Sequence, residues 1–533
     1  MKFTFSWLKE HLDTTASLDE VVYALTDLGL EVEEVSDPIK KLNHFTIGKI
    51  LKAKKHDDAD KLRVCTVHTD NGETQIICGA PNAREGILVV VAKPGVYVPG
   101  IDTTIGVGKI RGIESHGMMC SEREMELSDE HEGIIELPSA DIGEAYGDWL
   151  LQNEPEKVDA VVEIAITPNR PDALGVRGIA RDLAARGLGA LKPMEIHPIP
   201  GKFKCPISVS IEPETLINAP VFCGRLIRGV KNGPSPQWLQ NKLRAIGLRP
   251  ISALVDITNF FTYDNNRPLH VFDADKLNGT SIRVHDAKGG EKFNALDDKE
   301  YVLSKGMTVI SDNVGVESLA GIMGGSGSGC SDNTENVFIE AAYFNPITTA
   351  YTGRELKINS DARYRFERGI DPEWTAFGIE AATKMIIELC GGEPSEVIQA
   401  GEIPNHSRAY KVDTARIESL VGMAIPADDQ LKILENLGFV INDDNARVPS
   451  WRPDVQGEAD LVEEVARVVS LTKLQGIPLP RVSESVPKSV LSATQIREQT
   501  SRRAAAGMGY NECVTYSFIL SLIHISEPTR RKR

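Results

Sequence analysis

No two of the eight cysteines in this chain stand close enough to form a Cys-x-x-Cys pair. That spacing excludes a zinc ribbon, a thioredoxin-like site and a disulfide framework, and each thiol reads as a small buried apolar side chain. Long apolar runs are missing too. The longest, ILVVVA at 87–92, falls far short of the ~20 residues that a membrane span requires. The opening MKFTFSWLKEHLD sets Lys9, Glu10, His11 and Asp13 where a signal peptide would run apolar, so none is expected. Positive charge is short as well. A formal net charge of −17 argues against tight nonspecific nucleic-acid binding but leaves local basic patches open. What is there, 41% hydrophobic and 25% charged residues over 533 positions, is the balance of a soluble chain with several domains, expected in the cytoplasm.

The chain changes texture along its length. Ser17 and Glu20 form a capping box, Leu18, Val21, Val22, Leu25 and Leu28 an apolar stripe, and Gly29 a stop, which predicts a helix over 17–29. A similar Leu-Gly-apolar ending recurs at 431–439, and a looser one at 236–248. They mark either related small modules or only a common helix stop. From about 45 to 137, short apolar runs at 45–51, 62–68, 74–78, 87–92 and 134–137 alternate with turn residues, the pattern of a small oligonucleotide-binding (OB-fold) barrel. Helical patterning returns near 175–188, and 191–207 reads as a Pro-rich linker. Residues 206–400 mix strands and helices, and a smaller α/β unit follows to about 476. A Pro-containing link leads to one more helix and the strand-like VTYSF at 514–518. The last stretch, SLIHISEPTRRKR, matches neither neighbouring pattern and reads as a read-through artefact or a basic tail.

Four blocks carry the chemistry. In the barrel region stand HDDADKLRVC (56–65), ICGAPN (77–82) and IRGIESHGMMCSERE (110–124). Lys52, Lys54, Lys55, Lys61 and Arg63 cluster there. Alone they read first as a solvated face between acidic neighbours, with phosphate contact as the alternative. The second block is TPNRPDALGVRGIARDL (167–183). The third comprises LVDITNFF (254–261), RPLHVFDADKL (267–277), AGIMGG (320–325), FIEAAYF (338–344) and YRFERGIDP (364–372). Its glycine run at 321–329 lacks the Lys-Ser/Thr of a P-loop, and the Arg-x-Glu of YRFER lacks companion ATP motifs. The fourth, SWRPDVQGEADLVEEVARVVSL (450–471), sets Leu461, Val462, Val465, Val468 and Val469 on one helical face. Asp460, Glu463 and Glu464 fall on the other, with Asp454 just before. Four such carboxylates are solvated, paired or bound to a hard cation.

Together the blocks resemble the beta subunit of bacterial-type phenylalanine–tRNA ligase, over residues 1 to about 520. The resemblance implies a multidomain α+β chain containing an OB-fold tRNA-binding barrel, a mixed α/β editing domain and a small α/β metal-site domain. Its parts would be an N-terminal domain at 1–38 and 149–205 (linker included) interrupted by the barrel at 39–148, an editing domain of the B3/B4 kind at 206–400, and a B5-like domain with a Mg²⁺ site at 401–476. The start of a class II synthetase-like module, cut short before its C-terminal domains, would occupy 477–520, ahead of the anomalous 521–533. In that family an alpha subunit activates phenylalanine with ATP and charges the tRNA, within an alpha2–beta2 tetramer. The beta subunit contacts tRNA(Phe) and hydrolyses tyrosine wrongly attached to it. Carried over by motif position, the editing site would be His270, Glu340, Thr258, Asn259 and Gly321. Mg²⁺ would lie on Asp454, Asp460, Glu463 and Glu464, and tRNA contacts would come from Lys52, Lys54, Lys55, Lys61 and Arg63. No synthetic catalytic residue and no membrane association is implied. A free-standing aminoacyl-tRNA deacylase and a noncatalytic tRNA-binding scaffold fragment are the competing readings.

Overall fold

The structure, a computed structural model, describes residues 1–128, 130–479 and 491–515. It divides into two units, Met1–Leu474 and Gln475–Arg533. Unit one opens with β1 (Lys2–Thr4), α1 (Leu18–Asp27) and β2 (Val32–Ser36). The capping box of α1 is made in both directions: the Glu20 N–H donates to Ser17 Oγ, and the Ser17 N–H donates to Glu20 Oε2 at 2.8 Å. Gly29 ends the turn at φ +87°, a conformation that side chains with a Cβ resist.

An antiparallel sheet then interrupts this domain. Its strands are β3 (Thr46–His56), β4 (Ala59–Thr69), β5 (Gly72–Cys78), β6 (Leu88–Ala92) and β7 (Met118–Met119), in the order β7-β6-β3-β4-β5. Alternation along the strands turns Ile50, Val67, Ile76, Val89 and Val91 into one core. The His116 N–H donates to the Gln75 carbonyl at 2.9 Å, drawing the β5 edge toward the segment that leads into β7. The chain returns through β8 (Val161–Ile164), which pairs between β1 and β2, and α2 (Val176–Arg186). Of the expected linker 191–207, Leu191 still pairs in a strand with Leu12, and residues 192–207 carry no helix or strand, as the proline content predicts.

The next domain is built on a sheet of β9 (Val221–Arg228), β10 (His270–Asp273) and β11 (Asn336–Tyr343), in the order β10-β11-β9. Helices α3 (Ala253–Asp264) and α4 (Trp374–Cys390) cover one face, and β12 (Ile398–Gly401) adds to β9. A second sheet, running from Ser208–Ile211 to Met323–Gly324, lies on the opposite side. The period of two divides β11 between the layers: Val337, Ile339 and Ala341 join the core that contains Leu254, Ile257 and Ile379, whereas Phe338 and Ala342 join Ile282, Val284 and Ile310.

The last domain of unit one repeats the first. β13 (Ala409–Lys411), α5 (Ala427–Asn436), β14 (Val440–Asn442), β15 (Asn445–Arg447) and α6 (Glu458–Val469) follow in order, and the sheet runs β13-β15-β14, as the first runs β1-β8-β2. Gly438 closes α5 at φ +95°, as Gly29 closes α1. Of the two readings of the Leu-Gly ending, the related modules hold for 28–30 and 437–439. Gly247 is only a helix stop, since its helix leads directly to α3. The second copy turns between β14 and β15 on Asp443 and Asp444. The first copy carries the whole β3–β7 sheet at the same place. Two strands already paired hold the ends of such an insertion, and the cost of a longer loop grows only slowly with length.

In unit two the described residues contain one helix, α7 (Ala493–Gly507), capped by Ser492 and Gln495. Most of the strand-like 514–518, the tail 521–533 and part of the 476–488 link lie outside the described residues. Among the described residues no helix is long and apolar enough to cross a membrane. All eight cysteines are free. Five are buried as expected, Cys205 and Cys330 are half-buried, and Cys513 departs from the expectation by standing exposed.

Candidate functional site

Antiparallel pairing of β10 and β11 sets His270 directly opposite Glu340. Both are even-numbered on their strands, so they share the sheet face of Phe272, Phe338 and Ala342 that meets the second sheet. Glu340 is 6% exposed, and its Oε2 has no hydrogen-bond partner among the described residues. Burial pushes its carboxyl up to about 8, against a smaller downward pull from the Arg267 guanidinium. Arg267 is itself fully buried and committed elsewhere, donating to the Ala342 and Trp374 carbonyls and to Thr375 Oγ1. Burial lowers the His270 imidazole to about 4. Both groups are therefore neutral near pH 7, and a buried unpartnered oxygen costs about 1–3 kcal/mol until something fills it.

Glycine shapes the space beside them. A Cβ on Gly324 would lie 2.6 Å from His270 Nε2, so the ring occupies volume that only glycine leaves open. A Cβ on Gly321, which sits at φ +71°, would meet the Phe344 and Phe366 rings at 2.9 and 3.0 Å. Gly321 thus lies against the aromatic wall of the same core, while Gly324, which motif position does not single out, touches the imidazole. The double glycine of AGIMGG was the available signal. Thr258 and Asn259 lie on α3, in the helical layer on the other face of the sheet. Thr258 Oγ1 donates to the Val255 carbonyl at 2.7 Å, and no hydrogen bond joins either residue to His270 or Glu340.

The five expected cations sit along one hairpin. Lys52, Lys54 and Lys55 are on β3, Lys61 and Arg63 on β4, and all are exposed. Lys55 stands opposite Arg63 in register. Lys55 pairs with Asp60, and the other four form no ion pair among the described residues.

The acidic set of the fourth block is arranged differently from a cation cage. Arg452 holds Asp454 through two nitrogens, at 2.8 and 2.7 Å, and also donates to Glu464 Oε2. Arg467 reaches both oxygens of Glu464 and both oxygens of Asp182, in the first repeat. Burial alone would raise Glu464, but Arg467 and Arg452 hold it well below the carboxylate range. Asp460 accepts the Gln456 N–H, and Glu463 is exposed. Among the described residues no three His, Cys, Asp or Glu side chains are grouped to hold a metal ion. With two of the four oxygen pairs spent on guanidinium groups, the set as it stands does not fit one shared Mg²⁺.

That network repeats with the fold. Arg170 grips Asp172 through two nitrogens and donates to Asp182 at 2.8 Å, as Arg452 grips Asp454 and donates to Glu464. Each copy is an Arg-Pro-Asp turn followed by a helix whose acid lies twelve residues beyond the arginine. Arg467 ties the two copies together.

Three domain families match. Residues 218–391 match the "B3/4 domain", 45–144 the "Putative tRNA binding domain" and 410–470 the "tRNA synthetase B5 domain". Among curated proteins, the phenylalanine–tRNA ligase beta subunit of Ruegeria pomeroyi is 65% identical over 97% of this chain and 65% of its own length. Those of Cereibacter sphaeroides and Mesorhizobium japonicum are 59% and 53% identical, over 97% of this chain and 65% and 64% of theirs. The chain thus spans 64–65% of the length of these relatives.

Proposed function

The chain belongs to the phenylalanine–tRNA ligase beta-subunit family, and from that premise we propose that it binds tRNA(Phe) and hydrolyses tyrosine wrongly esterified to it. The Glu340–His270 pair is the reading point for the phenol. The observation that carries this reading is the buried Glu340 Oε2 with nothing to bond, opposite a neutral imidazole. A protonated Glu340 donates its O–H to the phenol oxygen, and the phenol O–H donates to a ring nitrogen of His270. Phenylalanine leaves both groups buried and unmatched. Sites built to hydrogen-bond a hydroxyl reject the analogue lacking it by roughly 10⁴–10⁵, whereas an apolar pocket rejects an added hydroxyl by only about 10².

Hydrolysis needs no protein nucleophile. A water oxygen bonds to the ester carbonyl carbon, the bond to the ribose oxygen breaks, and the water's proton ends on that ribose hydroxyl. The chain's part is to hold the ring and exclude the wrong one. Thr258 and Asn259 act here only if the bound ester reaches past the edge of β10 to α3. The interrupting sheet of 39–148 serves as an OB-fold barrel whose β3–β4 hairpin meets phosphates through Lys52, Lys54, Lys61 and Arg63, joined by Lys55 when RNA displaces Asp60. ATP-dependent synthesis belongs to an alpha subunit partnered in an alpha2–beta2 assembly in the cytoplasm. Any Mg²⁺ at the fourth block would rest on Asp460 and Glu463 with ligands from outside this chain, and no step of hydrolysis runs through it.

The test is deacylation of tyrosyl-tRNA(Phe) and phenylalanyl-tRNA(Phe) by the chain assembled with its alpha subunit. Faster loss of the tyrosyl ester, abolished by Glu340→Ala, is expected. Equal rates for the variant and the parent would overturn the assignment.

A further inference from the structure

A cavity of about 380 Å³ lies between the first repeat, the β9–β12 domain and the second repeat, and neither Glu340 nor His270 lines it. Arg181 of α2 lines it, with its guanidinium carbon over the Trp451 ring, 4.1 Å from the centroid. Among the described residues Arg181 has no ion pair within 4 Å and no hydrogen bond, although the carboxylates of Asp172, Asp182 and Asp371 attract it from farther off. On the same cavity wall, Asp371 accepts the Glu373 N–H at 3.0 Å and a hydrogen bond from Ser450, and it feels the Arg267 guanidinium, but no cation among the described residues stands within ion-pair distance of it. Glu435 on the rim is likewise unpaired. Two further polar atoms of the wall, Asn266 Oδ1 and Trp451 Nε1, are out of water with no partner, and Asn266 is only 9% exposed.

The other charges at the cavity are already committed. Asp172 belongs to Arg170, and Arg177 donates to the Lys192 carbonyl at 3.1 Å. What remains without an ion pair is one guanidinium and two carboxylates, and beside them one indole N–H and one amide oxygen have no hydrogen-bond partner. A phosphorylated ligand would face both carboxylates, and a simple cation would face the guanidinium. A ligand with one charge of each sign meets the set. Leu191, Met194 and Trp374 supply apolar wall, and the volume is within the usual range for small-molecule sites.

We infer that this cavity binds a free α-amino acid with a large apolar side chain, its carboxylate on Arg181 and Trp451 Nε1–H and its ammonium on Asp371. Charge-assisted hydrogen bonds at both ends fix the orientation, and the guanidinium held over the indole is pre-set for a carboxylate.

The experiment is calorimetric titration of the 533-residue chain with L-phenylalanine, 3-phenylpropionate, phenethylamine and AMP. Saturable binding of L-phenylalanine is expected, weakened about tenfold or more by loss of either charged end of the ligand, by Arg181→Gln or by Asp371→Asn. Glu340→Ala should leave it unchanged, which separates this cavity from the editing pocket. Should Arg181→Gln fail to fold, Asp371→Asn and the two truncated ligands still decide. The inference is overturned by no saturation up to about 10 mM, by equal binding of the truncated ligands, by AMP binding more tightly than L-phenylalanine, or by loss of binding in Glu340→Ala.

Discussion

Glu340 faces His270 across two antiparallel strands, and burial has driven each to its neutral form. This has a measurable pH signature. The unfolded Glu340 releases its proton near 4.5, whereas the folded one keeps it to about 8, so its contribution to stability falls as pH rises through that window and levels off above it. His270 acts in the opposite sense between about 4 and 6.5 and is silent above. Glu340→Gln should therefore gain on the parent by up to about 1.4 kcal/mol per pH unit between pH 6.5 and 8. Denaturant melts at several pH values read this difference. A constant gap would mean that the carboxyl is ionised in the fold.

Gly324→Ala places a methyl 2.6 Å from His270 Nε2, inside contact distance. The ring must turn away from Glu340 or the strand must shift. Tyrosyl-tRNA deacylation should drop at least tenfold, with a stability loss on the order of 1–3 kcal/mol from overpacking. Parallel deacylation and melting measurements separate the two effects.

The Arg467–Glu464–Arg452 network sits between two repeats, with Glu464 almost wholly enclosed. Glu464→Gln should destabilise the chain by roughly 3–5 kcal/mol, since it leaves two guanidinium groups short of an anion. Exchanging Mg²⁺ for EDTA should move the parent's melting midpoint by no more than about 1 °C, because linkage needs a site that the native state fills. A large shift on chelation would reveal a cation that the carboxylates of this chain hold after all.

Replacing Lys52, Lys54, Lys61 and Arg63 by alanine should weaken tRNA binding and reduce the slope of log affinity against log salt by about 0.7–0.9 for each phosphate that the protein no longer neutralises. An unchanged slope in filter binding would move the RNA interface off the β3–β4 hairpin.

Much of this was legible in the sequence for physical reasons, and the gaps are equally specific. The Ser17 capping box and the turn-punctuated runs of 45–92 are local signals, and their elements form within a few residues of where the residues predict them. Strand period also fixes which β11 residues share a face, so Glu340 travels with Phe338 and Ala342. The acidic helix reads differently once folded. Its wheel sets Glu464 with Glu463 on an outer face, but Arg452 and Arg467 supply counter-charge that draws Glu464 inside. The Arg467–Asp182 pair spans 285 residues and leaves no local pattern to find. Thr258 and Asn259 illustrate the same limit: motif position names them, but only the layer order puts α3 on the far face of the sheet from Glu340.

The most direct measurement is the affinity of two non-hydrolysable mimics, adenosine carrying tyrosine or phenylalanine in 3′-amide linkage, for the parent and for Glu340→Ala. The tyrosyl compound should bind more tightly to the parent by about a hundredfold or more, and that preference should collapse toward unity in the variant. A preference that survives removal of the carboxyl would contradict the claim that Glu340 and His270 read the phenol.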